Sequence, residues 1–514
     1  MTVAAVKTSV EFGDFQTPPG LASKVAKLAQ ARGFMPQSIL EPTCGIANLL
    51  SESLELFQVK LAVGIEIQAD YVTRARLKCG DRAEIWHSDF FDLSMKDVLS
   101  RLPQPVLVVG NPPWVTSATI GALGGTNLPK KQNLQGFTGL DAMTGKSNFD
   151  ISEAILIRLL ECISHTSNML VMIVKSSVAR KILCYAAKHK LGITKPALYA
   201  IDAKKEFNAA VDASVLICEG TRVTPNYDCQ VFSNLEATVP THTIGFQNGY
   251  LIADVKAYAR ARIYIGQNAL EWRSGIKHDC AKVMELRRSN DGFENGLGEC
   301  VALEMDYVYP MLKSSDLGNS RLEPRLWMLV PQQFIGENTH NLQVSAPLTW
   351  AYLMRHREAL QARQSSIYKN NPEFSIFGVG DYSFSSWKVA ISGLYKSLEF
   401  QVIAPFHNKP MVFDDTCYFL PCSSEGEALV LHALLCSNEA KDALSALVFW
   451  DEKRPITKER LNQLEVQTLA IHLKSRVMTE LLAKYSDARV RTEIRDAFIK
   501  MCRESTQDVP LLFA

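Results

Sequence analysis

The 12 cysteines include no C-x-x-C pair, neither sign of charge is in excess, and no apolar run approaches the length of a membrane span. Each absence removes a class. Scattered cysteines in a 514-residue chain read as reduced, mostly buried thiols rather than a disulfide framework. A zinc ribbon or finger has no ligand pairs to build on, and no metal is expected. Lys and Arg total 55 against 54 Asp and Glu, which excludes a uniformly basic coat protein for nucleic acid but leaves room for a local basic groove. Apolar runs such as Met169–Val174 fall far short of the ~20 residues that cross a bilayer. The first residues reach Glu11 and Asp14 without the apolar stretch of a secretory signal. A soluble, cytoplasmic protein with no membrane partner is the expectation.

What remains is a globular composition, 47% apolar and 21% charged, in a chain long enough for two or three cores. Between Ser38 and Gly220, short apolar runs recur at Ser38–Leu40, Leu61–Ile65, Glu84–His87, Val106–Val109, Met169–Val174, Ala197–Ile201 and Ala213–Cys218. Runs without polar alternation suit strands covered on both faces. Helical spacing fills the gaps: in Ile151–Ile163, residues Ile151, Ile155, Leu156, Leu159, Leu160 and Ile163 share one stripe. Strand and helix in alternation predict an α/β, doubly wound sheet. Only the loop Lys204–Asp212 separates the last two runs, which suits an antiparallel pair.

Ser117–Asn148 breaks the alternation and reads as a long loop. A domain boundary is expected within Thr221–Gly249, dividing the chain into 1–245 and 246–514. The later half has no internal repeat or low-complexity tract. It reads as mixed α/β, with strands at Trp387–Leu394 and Met411–Leu420 and helices at Ala428–Leu447 and Lys458–Ala488.

The most informative residues are Asn111-Pro112-Pro113-Trp114, directly after a buried strand and Gly110. Two prolines fix φ and offer no N–H, so they hold a rigid, extended backbone where doubly wound folds bind ligands. The Asn111 carboxamide and the Pro112 carbonyl supply two acceptors beside the flat face of Trp114. That combination suits the exocyclic amino group of a stacked base. A turn with a core Trp is the bland alternative.

Upstream, Ile39–Leu50 (ILEPTCGIANLL) is a strand, a tight turn of small residues and a helix start, an arrangement that lets backbone approach a ligand. Glu66 ends the next strand, where a carboxylate grips ribose hydroxyls. Asp89 and Phe90 follow the third strand, where a carboxylate and a ring would hold an adenine edge. By contrast Gly139–Ser147 only imitates a Walker phosphate loop: it has five residues between the glycines rather than four, and no apolar strand precedes it.

The order Phe15-Gln16-Thr17-Pro18-Pro19, Leu40-Glu41-Pro42-Thr43-Cys44-Gly45, Gly64-Ile65-Glu66, Asp89-Phe90 and Asn111-Pro112-Pro113-Trp114 resembles the gamma group, TaqI-type, of DNA adenine-N6 methyltransferases of restriction–modification systems. The resemblance covers about residues 11–220 and implies a class I methyltransferase (Rossmann-like) seven-stranded sheet followed by a target-recognition domain. It implies S-adenosylmethionine as cofactor. Thr17, Glu41, Pro42, Cys44, Gly45, Glu66, Ile67, Asp89, Phe90 and Asn111 would line its site. Asn111, Pro112, Pro113 and Trp114 would hold a base flipped out of duplex DNA, and Phe207 would pack on that base's other face. Ala47 and Asn48 depart from the more usual Gly and bulky apolar residue.

More than half of the chain follows residue 220, more than a small-molecule methyltransferase needs. Arg260–Arg288 carries seven Lys or Arg against three Asp or Glu, a stretch suited to phosphates or to a solvated basic face. Segments beginning at Trp272, Pro310 and Ser386 look like specificity regions of such enzymes. Arg273 and Lys277, with Lys130 and Lys131 of the long loop, are candidate DNA contacts. A cognate restriction endonuclease would be a separate chain. Two alternatives stay open: an RNA or protein-glutamine methyltransferase with the same four-residue site, and a non-catalytic DNA-binding specificity subunit.

Overall fold

The structure, a computed structural model, describes residues 15–115, 150–209, 211–266, 270–289 and 292–504. The expected loop 117–148, with the Walker-like segment, Lys130 and Lys131, lies outside these residues. The chain forms two compact units, Met1–Lys256 and Ala257–Ala514.

In the first unit β1 (Ser38–Glu41), β2 (Leu61–Glu66), β3 (Glu84–His87), β4 (Val106–Gly110), β5 (Met169–Lys175), β6 (Ile193–Ile201) and β7 (Ala213–Gly220) stand in the order 6-7-5-4-1-2-3. Strands β5, β4, β1, β2 and β3 run parallel, and β7 is antiparallel to both neighbours. Every residue of β1 and β4 is buried, which is why their sequences are unbroken by polar alternation. Around them run α1 (Pro19–Ala31), α2 (Asn48–Leu56), α3 (Ala69–Cys79), α4 (Met95–Arg101), α5 (Ile151–Ile163) and α6 (Ser176–Lys188). The chain leaves β1 toward β2 on one side and reaches β4 on the other. The carboxyl ends of β1 and β4 therefore flank the crevice where such sheets bind ligands.

Two readings need correction in this unit. The Lys204–Asp212 loop contains a short helix, α7 (Ala203–Phe207), capped by Asp202 and ended by Asn208 at φ 52°. Five residues are too few to show a period. Thr221–Gly249 is more than a connection, since it carries β8 (Cys229–Phe232) and β9 (His242–Gln247). Together with β10 (Tyr250–Ile252) these extend the sheet to ten strands beyond β6.

The second unit holds a four-stranded and a six-stranded sheet and a helical layer. Met411–Leu420 is two strands in different sheets. Val412–Phe413 pairs with Val308–Leu312, and Cys417–Cys422 pairs with Trp387–Ser392. Asp414 turns the chain between them, its Oδ1 accepting from the Thr416 N–H (3.2 Å) and hydroxyl (2.6 Å). Ala428–Leu447 is likewise two helices, Glu425–Leu435 and Asn438–Leu447, because Ser437 stops one and caps the next. Lys458–Ala488 breaks into Lys458–Leu461 and Val466–Lys484, and a third helix begins at Ala488.

Lys388 sits fully buried in the strand Trp387–Ser392, its Nζ donating to the Ser385 carbonyl and lying 5.9 Å from the Phe419 ring centroid. Burial pushes its ammonium from 10.5 down to about 7. The folded value lies below the unfolded one, so between about pH 7 and 10 the unfolded chain binds more protons and stability rises with pH. Urea unfolding across that window will show the rise, and Lys388→Met will flatten it.

Candidate active site

Asn111 leaves the end of β4 with its carboxamide turned toward residues 15–17, the strap that precedes α1. Its Nδ2 donates to the Phe15 carbonyl (2.8 Å) and to Thr17 Oγ1 (3.3 Å). A carbonyl only accepts, so the amide orientation is fixed and Oδ1 faces the other way. That Oδ1 is buried and has no hydrogen-bond partner.

The turn after β1 meets the end of β2 through Glu66. Its Oε2 accepts from the Gly45 N–H and its Oε1 from the Gln68 N–H, both at 2.8 Å. Gly45 has φ 53°, a left-handed conformation that favours glycine, and a Cβ there would have to push aside the end of the Gln16 side chain. Glu41 is buried beneath this turn and accepts from the Leu50 N–H in the first turn of α2 (2.9 Å). Burial, with the Glu66 charge adding, holds its carboxyl well above the usual carboxylate range. Burial also raises the Cys44 thiol, which makes it a poor nucleophile. Asp89 accepts from the Phe91 N–H (2.8 Å) and so shapes the turn after β3.

These elements form one side of an open cleft. Pro42, Gly45, Glu66, Ile67, Asp89, Phe90, Asn111 and Pro113 line it. A smaller recess adjoining the same residues is lined by Thr17, Glu41, Cys44 and Asn48. Gln16, Thr43 and Tyr71 also face the cleft, and none of them was assigned a role from sequence. Thr43 Oγ1 is a second buried polar atom without a partner. Among the described residues no three His, Cys, Asp or Glu side chains cluster to hold a metal, and no helix is long and apolar enough to cross a membrane.

The aromatic residues expected to hold the base pack on one another. Trp114 is 6% exposed and Pro112 is buried. The Trp114 and Phe207 ring centroids are 5.1 Å apart with their planes at 70°, and Phe15 packs on both rings. A base stacked between two rings needs two gaps of about 3.5 Å. These rings fill that space with one another.

Lys175, at the end of β5, fixes the far side of the motif. Its Nζ donates to the Trp114 carbonyl (3.0 Å) and to Asp150 Oδ2 (2.5 Å), and Asp150 caps α5. Lys175→Met will strand the Asp150 carboxylate. We expect a loss of about 2 kcal/mol in urea unfolding, less than for a fully buried pair because the Lys175 side chain is 19% exposed. Adding Asp150→Asn should restore part of it.

In the second unit Arg273 pairs with Glu271 (2.6 Å) and lies over the Tyr382 ring, while Lys277 pairs with Asp279 (3.2 Å). Both are half-buried.

No protein-family model matches the chain. The Type II methyltransferase M.NspV of Nostoc sp. is 45% identical over 471 residues, which cover 90% of this chain and 98% of that protein. The chain belongs to the Type II methyltransferases. A viral relative, the Type II methyltransferase M.CvrRI of Paramecium bursaria Chlorella virus XZ-6E, is 30% identical over 107 residues, covering 21% of this chain and 26% of that protein. Among solved structures, the Type IIL restriction-modification enzyme MmeI, determined in complex with DNA, superposes with a TM-score of 0.53 at 13% identity. The match covers 96% of this chain and 72% of MmeI and concerns the fold. The first unit of this Type II methyltransferase has the class I methyltransferase fold, and its cofactor is S-adenosylmethionine. The cleft fits that molecule: Gly45 adds no side chain to its wall, Glu66 stands at a strand end, and two buried polar atoms lack partners.

Proposed function

We propose that this methyltransferase modifies the N6 amine of an adenine flipped out of duplex DNA. In this reading it acts as the sequence-specific, gamma-group modification enzyme of a restriction–modification or phage-defence system. One observation carries the reading: the amide of Asn111, a residue that lines the cofactor cleft, is locked with its acceptor oxygen buried and unpartnered. A buried acceptor without a donor is costly, and a base amine supplies the missing donor. Kinship with M.NspV supports DNA as the acceptor.

Bound S-adenosylmethionine supplies an electrophilic methyl group on a sulfonium. The chain's own residues do the rest. Thr17, Glu41, Pro42, Cys44 and Gly45 would hold the methionine end, Glu66 and Ile67 the ribose, and Asp89 with Phe90 the adenine of the cofactor. Asn111 Oδ1 and the Pro112 carbonyl accept from the target amine. They draw its lone pair out of the ring and stabilise the positive charge that develops on nitrogen. The rigid prolines hold both acceptors in line with the incoming carbon. Trp114 and Phe207 part to admit the base, and stacking on them offsets the stacking lost from the duplex. The second unit reads the DNA sequence. Arg273 and Lys277 would exchange their carboxylate partners for phosphates.

The test is transfer of a tritiated methyl group to duplex DNA, transfer RNA and ribosomal RNA, followed by nucleoside analysis. Label in N6-methyldeoxyadenosine supports the reading. Label only in RNA, or on cytosine, overturns it.

A further inference from the structure

The orientation of Asn111 depends on a strap that is itself held from below, and the residue holding it is Asn48, one of the two departures from the usual pattern. Asn48 opens α2 nine-tenths buried. Its Nδ2 donates to the Thr17 carbonyl at 2.6 Å, and its Oδ1 accepts from the Lys78 ammonium on α3. Lys78 can only donate and the Thr17 carbonyl can only accept, so the Asn48 amide has a single workable orientation. The same logic applies one step on, where Phe15 O and Thr17 Oγ1 fix the Asn111 amide. The strap thus accepts from both sides, from Asn48 at the Thr17 carbonyl and from Asn111 at the Phe15 carbonyl and Thr17 Oγ1, and Lys78 donates to Asn48 from behind.

We infer that Asn48, backed by Lys78, is a positioning residue for methyl transfer: it holds the Phe15–Thr17 strap so that Asn111 presents its oxygen, not its nitrogen, to the target amine. The inference rests on the reading of Asn111 given above. A bulky apolar residue at position 48 would fill the space but could not grip a carbonyl. In this chain the polar link takes over that task. Asn48 hydrogen-bonds the strap and not Asn111 itself, so its effect reaches the target amine through the geometry of the strap. Misplacement of a reacting group by about 1 Å is enough to cost on the order of 100-fold in rate.

Asn48→Asp keeps size and shape and keeps the Lys78 contact, but it sets a carboxylate oxygen against the Thr17 carbonyl. Glu41 and Glu66 lie on the neighbouring strands, so the added negative charge faces Lys78 on one side and carboxyl groups on the other. Asn48→Ala removes the grip without the repulsion. The experiment is single-turnover methylation of duplex DNA, with KM for S-adenosylmethionine, DNA binding and thermal unfolding measured on the same preparations.

The expected result for Asn48→Asp is a rate lower by on the order of 10–100-fold, with KM and DNA affinity near those of the parent and an unfolding midpoint that is lowered but still well above the assay temperature. Asn48→Ala should fall between the two. A rate within about twofold of the parent overturns the inference, as does a rate loss matched by an equal rise in KM or by unfolding. Nucleoside analysis of the parent's product separates this outcome from the larger reading. A methylated base other than adenine would defeat the adenine assignment while leaving the Asn48 effect measurable on that base. Methylated adenine with an unaffected Asn48→Asp variant would defeat this inference alone.

Discussion

Asn111→Ala will lower the rate of methyl transfer by on the order of 10²–10³-fold while leaving DNA binding largely intact. The substitution removes the buried oxygen that has no partner in the protein, so the loss falls on the charge that builds up on the target nitrogen. Affinity for DNA comes mostly from contacts spread over phosphates and bases, which one amide at the end of β4 does not supply. Alanine also frees the Phe15 carbonyl and Thr17 Oγ1, so a companion is needed. Asn111→Asp is nearly isosteric but turns a carboxylate toward the Phe15 carbonyl, and it should be as inactive as alanine. Single-turnover kinetics and equilibrium DNA binding are the measurements. Equal loss of rate and DNA affinity in both variants would count against the assigned role.

How much of this was legible in the sequence follows burial. Strands β1, β4 and β5 are covered on both faces and wrote themselves as short apolar runs. Cys229–Phe232 and His242–Gln247 belong to the same sheet but are only half-buried, so their mixed sequences looked like connection. Met411–Leu420 misled for the opposite reason. Both of its strands are buried, and the one residue that divides them, Asp414, signals through its side-chain turn rather than through any change in hydropathy. In the site, the two prolines announced Asn111 because nothing ordinary follows a buried strand in that way. Gln16, Thr43 and Tyr71 face the cleft by virtue of the fold alone. The mutual packing of Phe15, Trp114 and Phe207 was invisible, since a sequence shows that three rings exist and not whether they meet a ligand or one another. Lys175 and Asp150 stand 25 residues apart, and only the adjacency of β5 to β4 brings them together under Trp114.

Glu66→Gln will weaken S-adenosylmethionine binding by on the order of 100-fold and cost about 1–3 kcal/mol of stability. The change is conservative in shape but not in hydrogen-bonding sense. Both carboxylate oxygens accept from backbone N–H groups, Gly45 on one side and Gln68 on the other. A carboxamide has one accepting atom, so whichever way it turns, its NH₂ confronts one of those N–H groups. The collision falls either on the Gly45 turn or on the Gln68 backbone at the end of β2, and both border the cleft. Gly45 already lies at positive φ with Gln16 close against it. The same carboxylate is the proposed acceptor for the cofactor's ribose hydroxyls, so turn geometry and ligand contact fail together. Asn111 lies on a different strand and keeps its own anchors at Phe15 and Thr17. Turnover at saturating cofactor should therefore stay within about threefold of the parent, a loss confined to ground-state binding. Calorimetry with S-adenosylmethionine, thermal unfolding and steady-state kinetics separate these effects. Low turnover with unchanged cofactor affinity would place Glu66 in the chemistry instead, and the division of labour between β2 and β4 would have to be redrawn.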